Sequence, residues 1–204
     1  MRSFSSLGHD IVYIARSKKG IFFPFIRRLY YYALSKKKKR YIERLVKSGL
    51  KLGKNVDIID TFFFDPSHCF LISIGDNCTI CPNVRLIAHD ASTKKTLGYT
   101  KIGKITIGEN CFIGDSALVL PQVQIGKNSI IGAGSVVVQD IPPDSIAAGN
   151  PAKVISSVDE YINKIKKISE NRKIFNEAYF IENLNQEKRI EMLEEMRNSI
   201  GFIV

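Results

Sequence analysis

Ile107-Gly-Glu-Asn-Cys-Phe, Ile113-Gly-Asp-Ser-Ala-Leu, Val119-Leu-Pro-Gln-Val-Gln, Ile125-Gly-Lys-Asn-Ser-Ile and Ile131-Gly-Ala-Gly-Ser-Val follow one another without a break, and Val137 opens the next copy. Aliphatic residues at 107, 113, 119, 125, 131 and 137 keep a strict period of six. Six is a multiple of the two-residue strand period, so all of these side chains fall on one face, yet a single strand of that length is implausible. A sharp bend once per hexad resolves the conflict. Each aliphatic then points to a shared interior, and the turns sit at the Gly/Asn/Asp positions. Short strands stack on their counterparts in neighbouring coils, which makes the chain mainly β and builds a parallel β-helix.

Working outward, Ile74-Gly-Asp-Asn-Cys-Thr and Ile80-Cys-Pro-Asn-Val-Arg lead to Leu86 in the same register, but the step from 86 to 107 is 21 residues and not a multiple of six. A loop is therefore expected between about Ala88 and Thr106. Leu52-Gly-Lys-Asn-Val-Asp followed by Ile58 is a weaker copy, and a second off-register step separates it from Ile74. Phe62-Phe63-Phe64 is expected inside that second excursion. Loops on a rigid scaffold concentrate function, so the excursion at 88–106 is the first place to look. The predicted organisation is a basic, partly helical arm over 1–51, the β-helix over 52–155 and a helical tail over 156–204. In the tail Val158, Tyr161, Ile162, Ile165 and Ile168 recur at helical spacing, and Glu187 to Met196 gives a second helical stretch.

At 204 residues and 45% hydrophobic content the chain can bury one good core. No apolar stretch reaches membrane-spanning length and the N-terminus lacks the features of a secretory signal, so the expected compartment is the cytoplasm. Cys78 and Cys111 occupy the fifth, small-residue slot of their hexads, a slot also filled by Ala117, Ser129 and Ser135. Cys78-x-x-Cys81 has the spacing of half a zinc site, but no second Cys/His pair follows, and no metal is expected. Residues 1–55 hold 15 Lys/Arg against two acids, whereas the remainder is slightly acidic. One reading of this arm is a helix from roughly Phe25 to Lys47 that covers an end of the β-helix, its lysines solvated. The other is a contact surface for an anionic bilayer or an anionic, lipid-linked glycan, which would hold the protein at the inner face of the cell membrane. Nucleic acid is not an expected partner, because no reading motif accompanies the charge.

Three histidines are present. His9 lies in the arm and His68 in the aromatic excursion, and neither has a neighbour in sequence that suggests a task. His89 stands where the regular coil gives way to the long loop, in Ile87-Ala-His-Asp. That motif, the run Ile107 to Val138 and the closing Asp140-Ile-Pro-Pro-Asp-Ser-Ile-Ala-Ala-Gly-Asn-Pro-Ala-Lys-Val together resemble the hexapeptide-repeat acyltransferases, in particular the branch of maltose, galactoside and polysaccharide O-acetyltransferases. The resemblance covers about 52–155.

It implies a left-handed parallel β-helix, a homotrimer with active sites between adjacent subunits, and acetyl-CoA as co-substrate. It also implies direct transfer of the acetyl group to an acceptor hydroxyl, with His89 as general base. An imidazole suits that task near neutral pH. Family members lay pantetheine along successive coils, here Asp115, Ala133 and Gly134, and meet the CoA phosphates with a basic residue, here Lys153. Many relatives carry Thr-Lys where this chain has Val138-Gln139, so one polar contact to CoA is missing. Direct transfer needs no acyl-enzyme, which leaves the cysteines without a nucleophilic role. The group that orients His89 stays open among Asp90, Asp57, Asp60, Asp65 and a backbone carbonyl.

The acceptor that follows is a saccharide hydroxyl in capsular, exopolysaccharide or lipopolysaccharide synthesis. The alternatives are N-acetylation of a nucleotide-linked amino sugar, acetylation of serine or of an antibiotic, and a structural β-solenoid with no activity. A carbonic anhydrase on such a coil would need three histidine ligands for zinc, and His9 lies outside the coils.

Overall fold

The computed structural model describes the backbone from Phe23 and side chains from Ser35. His9 and the aromatic side chains of the arm before Ser35 lie outside the described residues. The chain divides into two compact units, one ending at Leu50 and one spanning Lys51–Val204. In the first, a helix runs over Phe23–Lys47. It stops at Gly49, whose φ of 104° suits a residue without Cβ, while the Leu50 amide donates to the Leu45 carbonyl and the Gly49 amide to Val46.

The second unit is a coil with three parallel faces. Lys51–Leu52, Ile72–Ile74, Ile105–Ile107 and Val123–Ile125 stack on the first face, and Ile141 extends it by a single bridge to Ile125. Asp57–Ile58, Thr79–Ile80, Phe112–Ile113, Ile130–Ile131 and Ser145–Gly149 form the second, which the antiparallel strand Ala152–Ser157 closes. Phe62–Phe64, Val84–Leu86, Leu118–Val119 and Val136–Val137 form the third. Inside, equivalent positions lie on one another: Ile74, Ile107 and Ile125 on the first face, Ile80, Ile113 and Ile131 on the second, and Phe64, Leu86, Val119 and Val137 on the third. All of these are buried, and each contributes about 1.5–3 kcal/mol of apolar burial.

At the corner between the first and second faces, the residue with left-handed backbone is not the glycine but the asparagine two places later. Asn55, Asn77, Asn110 and Asn128 and, in the last coil, Asp144 have φ between 53° and 56°. Their side chains form a continuous ladder in which each amide donates to the next coil, from Asn55 through Asn77, Asn110 and Asn128 to the Asp144 carboxylate. The glycine of the hexad answers a different need. A Cβ on Gly108 would sit 2.6 Å from the Lys127 nitrogen, and one on Gly126 2.2 Å from that of Pro143. Next to the ladder, the fifth-position side chains are donors into the following coil: Cys78 to the Gly108 carbonyl, Cys111 to Gly126 and Ser129 to Pro142. The two thiols are buried there as small polar rungs.

Both excursions leave the coil at one corner, between the third and first faces. The Phe62-Phe63-Phe64 stretch is not part of an excursion, as the broken period led us to expect. It is a strand of the third face, with Phe64 fully buried over Leu86. The first excursion is only the segment 65–71, with a short 3-10 turn at Cys69–Leu71. The second, 87–104, is ordered by an antiparallel pairing of His89–Asp90 with Lys101–Ile102 and a helical turn at Lys94–Leu97. After the coil, the helix Val158–Ser169 starts in a capping box between Ser157 and Glu160, and a second helix spans Gln186–Glu195. The tail is not helical throughout: Ile174–Phe175 and Phe202–Ile203 pair as parallel strands. Among the described residues no helix is long and apolar enough to cross a membrane.

Adding a methyl group at one of these close coil contacts, Gly108→Ala, is expected to cost about 1–3 kcal/mol, as overpacking does. Asn110→Gly, which keeps the left-handed backbone and loses only the ladder contact, should cost less than Asn110→Val. Urea unfolding of the three variants measures both.

Candidate active site

The corner that carries the excursions also gathers the ionisable side chains. Phe64 pairs with Leu86 across neighbouring coils, and the Asp65 amide donates to the Leu86 carbonyl. Asp65 therefore leaves the third face one coil before Ile87, and the two rungs fix the distance between the excursions. The Asp65 side chain is fully buried and completely engaged. One oxygen accepts from the Ser67 hydroxyl at 2.7 Å and the Ser67 amide at 3.2 Å. The other accepts from the Ala88 amide at 3.1 Å and lies 2.5 Å from His89 Nδ1.

Burial alone would push the Asp65 carboxyl upward. The hydrogen bonds from Ser67, His89 and Ala88, with the positive charge His89 can carry, outweigh it and hold the group below its ordinary value. The carboxylate is thus ionised through the neutral range and accepts from His89 Nδ1–H. A lowered carboxyl stabilises the folded state above its unfolded value, and that contribution disappears as the pH falls through the folded one.

Of the groups left open as the partner of His89, the structure selects Asp65. Asp90 is turned to Lys101 at 3.0 Å; the amide and hydroxyl of Ser92, then Lys101, hold its carboxyl at about 2. His89 itself is about one-third exposed and lines a cleft of about 520 Å³ with Asp90, Lys101, Leu120, Pro121 and Val138. Val138 is therefore part of the wall next to His89. His68, which sequence leaves without a partner, lies beside it: the two imidazole centroids are 5.1 Å apart. Asp65, His68 and His89 offer potential metal-ligand atoms within 4.8 Å of one another. Every lone-pair direction of the buried carboxylate is already directed at a donor, however, so Asp65 fits a positioning role better than a ligand's.

The positions matched to CoA binding lie elsewhere. Asp115, Ala133 and Gly134 are exposed at the corner between the second and third faces, in adjacent coils, and the Gly134 amide donates to the Asp115 carbonyl at 2.7 Å. A Cβ on Gly134 would meet nothing, so this edge is an open track beside which a long flexible ligand can lie. Lys153 is exposed on the strand Ala152–Ser157, next to the turn Gly149-Asn150-Pro151. Within one chain the third face separates these residues from His89.

Residues 104–139 match the family described as bacterial transferase hexapeptide (six repeats). Those residues lie within the coil. Over 116 residues the chain is 43% identical to the galactoside O-acetyltransferase of Escherichia coli K12, covering 55% of this chain and 56% of that protein. Among solved structures it is similar to a hexapeptide-repeat acetyltransferase of Vibrio cholerae complexed with acetyl coenzyme A, at 28% identity and a TM-score of 0.49, covering 53% of this chain and 60% of that one. It is likewise similar to a maltose O-acetyltransferase of Clostridium difficile 630, at 28% identity and a TM-score of 0.43, covering 55% and 72%. The chain spans a little over half the length of the curated relatives it matches.

Sequence reasoning missed His68, Ser67 and the cleft residues Leu120 and Pro121. The signal for Asp65 was present: Phe64 and Leu86 are equivalent rungs, which puts residue 65 one coil from residue 87. Asp65→Ala strips the Ala88 amide, the Ser67 hydroxyl and His89 Nδ1 of their acceptor and is expected to cost about 1–3 kcal/mol or more in urea unfolding. Nitrogen-15 NMR of the histidine rings should show His89 protonated on Nδ1 in the native protein, with this preference lost in Asp65→Asn.

Proposed function

We propose that this protein is an acetyl-CoA-dependent O-acetyltransferase that acts on a saccharide hydroxyl, with His89 as general base. The observation that carries this reading is the 2.5 Å contact between His89 Nδ1 and a fully buried, hydrogen-bonded Asp65, at the mouth of a cleft on a hexapeptide coil. Asp65 fixes the tautomer in which Nε2 bears the lone pair, and stabilises the imidazolium formed when that nitrogen takes a proton. The acceptor oxygen attacks the thioester carbonyl as its proton passes to Nε2. The carbon–sulfur bond then breaks, and the imidazolium returns the proton to the departing CoA sulfur. No group on the protein is acetylated, in keeping with the burial of all four cysteines.

The same reading gives Asp115, Ala133, Gly134 and Lys153 to CoA, the lysine toward its phosphates. Because these residues and His89 stand at different corners, one active site is best completed by two chains, with the Asp115 edge of one subunit facing the His89 corner of the next. A left-handed coil in a homotrimer supplies three such sites. The exposed Leu97, Tyr99 and Ile102 of the long excursion suit contact with a neighbouring subunit. The strongly basic segment before residue 55 favours an anionic or lipid-linked glycan as acceptor, on the cytoplasmic side of the membrane.

His89→Ala should reduce acetyl transfer from labelled acetyl-CoA to a panel of glycans by at least 10²-fold, with CoA binding and oligomeric state unchanged. Asp65→Asn should lower kcat by about 10²–10⁴-fold and leave KM for acetyl-CoA within about twofold. An active His89→Ala variant would remove the proposed base. Mass spectrometry of the glycans and analytical ultracentrifugation give the readouts.

A further inference from the structure

His68 takes no part in the reaction above, yet it is tied to the same carboxylate as the base. Ser67 has one hydroxyl proton and gives it to Asp65 at 2.7 Å. At 3.0 Å from His68 Nδ1 the Ser67 oxygen can then only accept, so His68 carries a proton on Nδ1. His89, donating from Nδ1 to Asp65, is held in the same tautomer. Two imidazoles with centroids 5.1 Å apart thus each engage a protein oxygen through Nδ1, the Ser67 hydroxyl for His68 and the buried Asp65 carboxylate for His89, and keep a lone pair on Nε2, at the ring edge away from the group that holds them. Both side chains are accessible, 28% for His68 and 34% for His89. Helix capping does not account for His68. It stands at the N-cap of the Cys69–Leu71 turn but makes no side-chain capping bond.

We propose that His68 is an acceptor-recognition residue: its Nε2 accepts a hydrogen bond from the hydroxyl adjacent to the one that His89 deprotonates. The inference rests on the saccharide acetyltransferase reading and narrows it. The substrate presents two hydroxyl donors on neighbouring ring carbons, because two lone pairs side by side match two O–H groups side by side. An isolated alcohol satisfies only one of them. Phe70, 54% exposed with its ring centroid 6.1 Å from that of His68, offers an apolar surface for the C–H face of such a sugar ring.

The test uses the full chain in EDTA, acetyl-CoA, the methyl hexopyranoside that the native protein acetylates best, and that glycoside's deoxy analogue lacking the hydroxyl next to the acetylated one. His68→Phe removes the acceptor nitrogen and keeps a ring. It should lower kcat/KM for the parent glycoside about tenfold, as loss of one hydrogen bond does. On the deoxy analogue it should change kcat/KM less than twofold, and KM for acetyl-CoA should not move. His68→Gln, which retains an acceptor oxygen, should recover part of the discrimination between the two sugars. Equal losses on parent and deoxy sugar overturn the proposal while leaving the acetyltransferase reading intact. So does an effect of His68→Phe seen only without EDTA, which would mean that a divalent ion bridges the imidazoles. If the native protein acetylates no saccharide, both readings fall together.

Discussion

Successive coils of this protein lie one strand spacing apart, about 4.8 Å, and at the corner between the first and second faces the backbones approach more closely than a Cβ permits. That contact dictates the hexad. Glycine is needed where the neighbouring chain passes, and two residues later the turn calls for left-handed backbone, which asparagine tolerates while its amide bonds to the coil beyond. An aliphatic residue before the glycine then falls inside by strand alternation. Period, composition and stacking are three consequences of one steric limit.

The stiffness of this arrangement is what makes a precise polar site affordable on a surface corner. Asp65 and Ile87 are the first residues past paired rungs, so their separation is set by sheet hydrogen bonds and not by loop packing. Taking a carboxylate wholly out of water is costly unless every acceptor direction is used. Here Ser67, Ala88 and His89 use them, and the result is a histidine fixed in orientation and tautomer on a partly exposed edge.

The fold was legible in the chain because the period of six is strictly local: Ile107 to Val137 can be read without knowing what any residue touches. The glycine was assigned to the turn itself, and its true reason, the approach of the next coil, is a contact between residues about eighteen apart that no single hexad displays. His89 stood out because it begins an interruption. Asp65 remained one of several carboxylates, since counting coils across 65–71 requires that Phe62–Phe64 be recognised as a rung, and three adjacent aromatics mask the alternation that marks one. His68 was unreadable for a deeper reason. Its relation to His89 runs through Ser67 and Asp65, and arises only when two excursions of different length emerge at the same corner.

That shared exit has a consequence for how such proteins diversify. The rungs at Phe64 and Leu86 pair through the sheet itself, without residues 66–71 or 88–104, so those segments hang from the coil as cassettes on a spindle that does not use them. New chemistry of recognition can be grafted at this vertex without unwinding the coil, and a carboxylate anchored in the stem travels with the graft as a ready-made holder for any imidazole that arrives.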